Sequence, residues 1–196
     1  MKSAKKNLRA GVERLLKEAL DVKLALIQTQ IEVIEEMAAV LLKAVKVGHT
    51  IYFIGNGGSA ADAQHLEAEL LGRFLRERAP IPARALTTNT SLLSAIGNDY
   101  GFEEVFVRQA RACLKPGDVL VALTTSGNSP NILKAVEYAR TQKVKVLGFT
   151  GESGGKLAPL ADVCLRVPSS KTYQIQECHI TVGHLLCALV EESVAG

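Results

Sequence analysis

The chain has 196 residues, 47% of them hydrophobic and 22% charged, with no low-complexity tract, which is enough to bury a real core in one domain with an appendage. Its 23 basic and 20 acidic side chains are spread along the chain for a formal net charge of +3, and no basic block is interleaved with aromatics. That argues against a nucleic-acid partner and suits an anionic small molecule. Lys2, Lys5 and Lys6 precede neither a signal-peptide core nor a membrane-spanning run, and Cys113, Cys164, Cys178 and Cys187 form no C-x-x-C pair. A reduced, cytoplasmic protein with no membrane contact is expected.

From about Lys5 to Lys46, apolar residues such as Leu24, Leu26, Ile27, Ile31, Ile34, Met37 and Leu41 recur at helical spacing. This predicts an N-terminal helical arm over residues 1–46, with a break near Leu20 to Lys23. Five short apolar runs follow, at 50–55, 82–86, 118–124, 144–150 and 163–168, separated by stretches of helical periodicity around 60–78, 101–112, 130–142 and 175–194. Short strands that are apolar on both faces and alternate with helices predict an α/β fold, a mainly parallel sheet flanked by helices.

In such sheets ligands bind beyond the carboxyl ends of the strands, so the loops there matter most. The first, "GNGGSAAD" (55–62), places Gly57, Gly58 and a serine at a strand-to-helix turn whose free N–H groups can hold an anion. Its spacing is neither G-x-G-x-x-G nor G-x-x-x-x-G-K-[ST], which disfavours a dinucleotide or a nucleoside triphosphate. The second, "TTSGNSPN" (124–131), offers the hydroxyls of Thr124, Thr125, Ser126 and Ser129, with Pro130 suited to the first turn of a helix. Hydroxyls and backbone amides can bind a phosphate monoester without a lysine, although serine and threonine are also ordinary helix caps. Two such loops in one sheet favour the phosphate reading. The third, "TTNTSLLSAIGNDYG" (87–101), carries Asn98 and Asp99 in a turn-like context that decides nothing alone.

His65 and Glu69 are four residues apart on the helix that the glycine turn opens, so they share a face and can share a ligand, or form only a surface pair. A second cluster, "YQIQECHITVGHLL" (173–186), contains Gln176, Glu177, His179 and His184.

Taken together, "GNGGSAADAQHLEAEL", "LTTNTSLLSAIGNDYGFEEVF", "TTSGNSPN" and "IQECHITVGH" resemble the bacterial phosphoheptose isomerases of the sugar isomerase (SIS) domain superfamily, over about Ile51 to Glu191. The resemblance implies a flavodoxin-like, Rossmann-like SIS fold, residues 1–196 as a single SIS domain with 1–46 as its arm, and a homotetramer. It implies conversion of sedoheptulose 7-phosphate, a phosphorylated seven-carbon sugar, to D-glycero-D-manno-heptose 7-phosphate, the first step toward activated heptose for lipopolysaccharide or other surface glycans.

Carried over by position, the resemblance implies one Zn2+ per subunit held by His65, Glu69, Gln176 and His184, with Glu69 and His184 as the acid/base pair. It implies substrate contacts from Asn56, Gly57, Gly58, Glu69, Asn98, Asp99, Thr124, Thr125, Ser126, Ser129 and Gln176. Arg73, one turn beyond Glu69, matches an arginine that reaches a neighbouring subunit's substrate. The family often has Asp at Asn89 and a basic residue at Gln174. Gln176 and His184 are eight residues apart, so in a regular helix their backbones are separated by roughly 12 Å. His179, three residues from Gln176, competes as a ligand on helical spacing. The other reading is a non-catalytic SIS domain, either a sugar-phosphate sensor or an adaptor of the replication initiator. The adaptor branch lacks the full metal and acid/base set, whereas this chain retains it.

Overall fold

A computed structural model describes residues 2–194. The N-terminal arm is one helix, α1 (Lys2–Lys46), of 45 residues. The expected break at Leu20 to Lys23 is absent, because nothing in that stretch removes a backbone N–H or demands a non-helical φ. From Leu26 onward, Ile34, Met37, Leu41 and Ala44 bury one face of α1 against the rest of the fold.

The remaining elements are β1 (Ile51–Gly55), α2 (Gly58–Leu71), β2 (Ala83–Ala85), α3 (Thr90–Tyr100), α4 (Val107–Cys113), β3 (Val119–Leu123), α5 (Pro130–Thr141), β4 (Lys145–Gly151), β5 (Val163–Val167) and α6 (Thr172–Val194). The five strands form one parallel sheet in the order β2-β1-β3-β4-β5. Alternation at period two splits the core in two. Ile51 and Phe53 of β1 point to one face, where α1, α2 and α6 supply Met37, Leu66 and Val182. Tyr52 and Ile54 point to the other, against Ile96, Ala110 and Ile132 of α3, α4 and α5. Every residue of β1 and β3 is buried, as expected of inner strands covered on both sides.

Strand order reverses at β1, which leaves a crevice beyond the carboxyl ends of β1 and β3, the place where open α/β sheets bind ligands. The two loops singled out in the sequence, after β1 and after β3, are the walls of that crevice.

Three boundaries differ from the sequence expectation. Residues 90–100 are helical rather than a loop: Asn89 Oδ1 accepts the Leu92 N–H at 2.9 Å as an N-cap, and Ile96 is buried beneath the sheet. Asn and Asp both cap helices well, so this cap would survive an Asn-to-Asp exchange at residue 89. α2 stops at Leu71, short of residue 78, because the Arg78 guanidinium takes the carbonyls of Glu69, Leu70 and Gly72 that another turn would use. Helix in the 101–112 stretch is confined to a 3-10 turn, Phe102–Glu104, and to α4.

Candidate active site

The turn after β1 changes direction at Gly57, whose φ of 54° lies in the left-handed region that glycine adopts without strain. No side chain caps α2; the Ser59 N–H donates to the Asn56 carbonyl, and the Ala60 and Ala61 N–H groups donate to the Gly57 carbonyl. Across the crevice, Ser129 precedes Pro130 at the start of α5 and also makes no side-chain cap. Its hydroxyl instead lies 3.1 Å from Thr124 Oγ1. The Ser129 hydroxyl is therefore not a helix cap, and exposed Ser126 has its Oγ accepting the Asn128 N–H at 3.1 Å. Half-buried Thr125 uses its carbonyl to receive the Gly151 N–H. Asn56 and the buried Asn131 exchange two amide hydrogen bonds, at 2.9 and 2.8 Å, strapping the two walls together.

α6 runs alongside α2 with matched contacts: Gln176 lies against Gly58, Gly183 against Leu66 and His184 against His65. A Cβ on Gly183 would approach the Leu66 side chain to 2.7 Å, so glycine there lets the two helices close up beside the histidines. The result is a cluster in which His65 Nε2 lies 2.8 Å from His184 Nε2 and 3.2 Å from Glu69 Oε1. Ligand atoms of His65, Glu69 and His184 all fall within 4.8 Å of one another. Two imidazoles and one carboxylate converging on a point fit a metal site with a position left open, as in catalytic zinc centres. Phe74 stacks on the His184 ring at a centroid distance of 5.5 Å and an interplanar angle of 21°.

His179 lies elsewhere. It is fully buried, its Nε2 sits 3.2 Å from the Thr150 carbonyl and its ring meets Phe149 edge-on. Burial holds its pKa down at about 4, against the hydrogen bond to Thr150, so this imidazole is neutral and faces the sheet. Gln176 projects its amide at Gly58, at the head of α2, while the three-residue cluster lies further along the helix pair. Asn98 and Asp99 sit exposed at the end of α3, where the Asn98 amide donates to Asp99 Oδ1 at 2.9 Å. Their hydrogen bonds do not join the cleft. Arg73 is exposed just beyond α2 rather than on it. Gln174 is buried and accepts the Ser169 hydroxyl at 2.7 Å.

Sequence reasoning missed Asp62. It sits three residues before His65 on α2, is half-buried with Oδ2 lacking any partner, and burial raises its pKa despite the nearby His65. The signal was its helical spacing to His65, easily overlooked inside a glycine-rich motif.

The parallel sheet, the crevice at its reversal point and the His65–Glu69–His184 cluster define an α/β protein with a ligand crevice and a candidate metal site. A family model described as SIS domain matches residues 15–151. The phosphoheptose isomerase of Rhodospirillum rubrum is 61% identical over 161 residues, 82% of this chain and 86% of its own length. That of Aquifex aeolicus is 50% identical, covering 93% and 96%. The structure of the Neisseria gonorrhoeae phosphoheptose isomerase superposes with a TM-score of 0.89 at 41% identity, covering 94% of this chain and 99% of that one. The chain belongs to the SIS domain family and, within it, to the phosphoheptose isomerases.

Proposed function

We infer that the protein is an aldose–ketose isomerase that converts sedoheptulose 7-phosphate to D-glycero-D-manno-heptose 7-phosphate. The observation that carries the mechanism is the convergence of His65, Glu69 and His184 between α2 and α6. The reaction moves a proton between the two adjacent carbons C1 and C2 through an enediol or enediolate, while a second proton passes between their oxygens. Glu69 and His184 are the acid/base pair: a carboxylate oxygen accepts a carbon-bound proton, and the imidazole carries one at the neighbouring oxygen. Thr124, Thr125, Ser126 and Ser129, with the α2 N-terminus at Gly57 and Gly58, hold the phosphate. Asn56, Gln176, Asn98 and Asp99 complete the substrate contacts, the last two on the family resemblance alone.

His65, Glu69 and His184 would hold one Zn2+, and Gln176, the fourth ligand that the resemblance implies, would have to turn its amide from Gly58 toward them to join the set. When bound, the ion would supply positive charge where the carbonyl oxygen gains negative charge. The donor set supports this choice, since imidazole and carboxylate suit zinc.

The whole chain is one SIS unit with α1 as its arm, assembled as a homotetramer. Leu8, Val12, Leu16, Leu20, Leu24 and Ile27 form an exposed stripe at helical spacing along α1, a face that a second copy covers. Arg73 would then reach a neighbouring subunit's substrate. A stable monomer in light scattering at micromolar concentration would defeat the assembly. No helix among the described residues is long and apolar enough to cross a membrane. All four cysteines are free, which supports a reduced, cytoplasmic setting.

An isomerase assay on purified protein, repeated after chelation and after adding zinc back, tests the reading. Turnover that is lost and then restored is expected. No turnover of sedoheptulose 7-phosphate by zinc-loaded protein would return the chain to the non-catalytic SIS reading.

A further inference from the structure

Glu191 is a buried acidic group that the proposed reaction does not use, 1% exposed near the end of α6. A buried carboxylate is destabilising unless it is paired and hydrogen-bonded. Here its oxygens accept three consecutive backbone N–H groups, from Phe74 at 3.0 Å, Leu75 at 2.7 Å and Arg76 at 3.0 Å. Its charge partner is Arg78, whose side chain is 2% exposed and whose Nε lies 3.2 Å from Glu191 Oε1, close enough for attraction but too poorly aligned for a hydrogen bond. The other guanidinium nitrogens donate to the carbonyls of Glu69, Leu70 and Gly72. The pair thus holds both sides of one short segment: Arg78 takes the carbonyls at the end of α2, and Glu191 takes the N–H groups just beyond it.

That segment carries Phe74, whose ring lies on His184. His184 and Glu191 are seven residues apart on α6 and share a helix face. The connections form a closed loop: from Glu191 to the Phe74 backbone, from the Phe74 ring to the His184 imidazole, and along two turns of α6 back to Glu191. An apolar pair could fill the same volume and close the same gap. It could not receive three N–H groups in a set direction, and that direction fixes where the aromatic ring points. With one ring face covered, the imidazole is restricted about its side-chain torsions and keeps Nε2 directed at His65 and Glu69.

We propose that Glu191 is a positioning residue for the isomerase, acting through Phe74 to hold the His184 imidazole in the orientation that serves both metal binding and proton transfer. The proposal rests on the reading of His184 as ligand and acid/base group. Arg78 belongs to the same device, since its contact with the Glu69 carbonyl ties down the helix end bearing the other proton-handling residue.

The test uses E191Q, F74L, F74Y and the E191Q/F74L double variant of the full chain, each checked for folding. Turnover and zinc affinity are measured, the latter by competition with a chromophoric chelator using zinc alone. Glutamine retains the shape of Glu191 but loses the charge and one acceptor. Removing a group that orients a metal ligand typically lowers metal affinity or activity by about 10- to 100-fold. E191Q and F74L should each show a loss in that range, in kcat rather than KM, and F74Y should restore turnover because it keeps the ring. In the F74L background E191Q should add no further loss, because its route to His184 is already gone. A role in stability alone would lower the unfolding midpoint and leave this coupling absent.

Folded E191Q with wild-type kcat and zinc affinity would overturn the proposal, as would equal losses from E191Q in the presence and absence of Phe74. If E191Q does not fold, F74L decides, and wild-type turnover there would overturn the proposal. H184Q separates this outcome from failure of the underlying reading. An inactive H184Q beside a fully active E191Q removes only the role of Glu191, whereas an H184Q that isomerises at the wild-type rate removes the acid/base reading and the proposal with it.

Discussion

Two faces of α6 carry a histidine each, and they have opposite fates. His179 turns inward, buried against Phe149 and Thr150, with its pKa held down at about 4. His184, about 140° further round the helix, meets His65, Glu69 and Phe74 where α6 faces α2. Residue type and helix are the same, so the difference comes from what each face packs against. The sheet face desolvates an imidazole and leaves it neutral, while the α2 face supplies a second imidazole and a carboxylate. A histidine is a candidate ligand only where its neighbours are also ligands.

The strongest way to break this comparison is to disarm the reactive face without disturbing the helix pair. Glutamine and glutamate have similar helix propensity, so E69Q should fold normally. It loses the carboxylate proposed to accept the proton, and turnover should fall by about 10²–10⁴-fold. E69Q that isomerises at the wild-type rate with its zinc intact would end the acid/base assignment.

H65A should act in the reverse order, because His65 is assigned to metal and not to proton transfer. Bound zinc is expected to drop first, with activity following it and returning in part at high added zinc. Measuring metal content beside turnover checks this, and an H65A protein with full zinc occupancy would remove His65 from the ligand set.

The phosphate wall should respond more mildly. Ser126 is exposed and Ser129 caps nothing, so the S126A/S129A double variant should keep its fold. Each hydrogen bond to a charged group typically contributes about 1.5–3 kcal/mol, so KM should rise roughly tenfold or more while kcat changes less. An unchanged KM would place the phosphate on the turn at Gly57 and Gly58 instead.

The smallest effect on turnover belongs to the inward face: H179L should bind zinc and isomerise substrate as the parent does. The difference should appear in stability against pH. The folded pKa of His179, about 4, lies below the ordinary 6.5, so the unfolded chain takes up this proton first as the medium is acidified. The parent should therefore have its full stability above pH 6.5 and lose up to about 3 kcal/mol of it as pH falls toward 4. Denaturant unfolding at several pH values should show a flatter profile for H179L over that window. An equally steep profile would assign the acid sensitivity to other groups.

Much of this protein is determined by its sequence alone. Short strands alternating with helices specify a parallel sheet, because runs apolar on both faces must be covered on both sides. The loops after β1 and β3 stand out as candidate ligand loops because they combine glycines and clustered hydroxyls at strand ends. Local residues misled at 87–101, where Gly97, Asn98 and Asp99 read as a turn, yet an Asn89 cap and the burial of Ile96 hold the segment as α3. Local turn preference is weak and is overridden once a helix face has a core to bury against. The α2 boundary escaped for a similar reason, since it is set by Arg78 and Glu191, the latter more than a hundred residues away in the chain. The choice between His179 and His184 belongs to tertiary structure as well. Helical spacing from Gln176 favours His179, but α6 lies beside α2 with Gly183 against Leu66, and that register delivers His184 to His65 and buries His179 beneath Thr150. Periodicity along one helix tells which residues share a face, and only the packing of a second helix decides what that face meets.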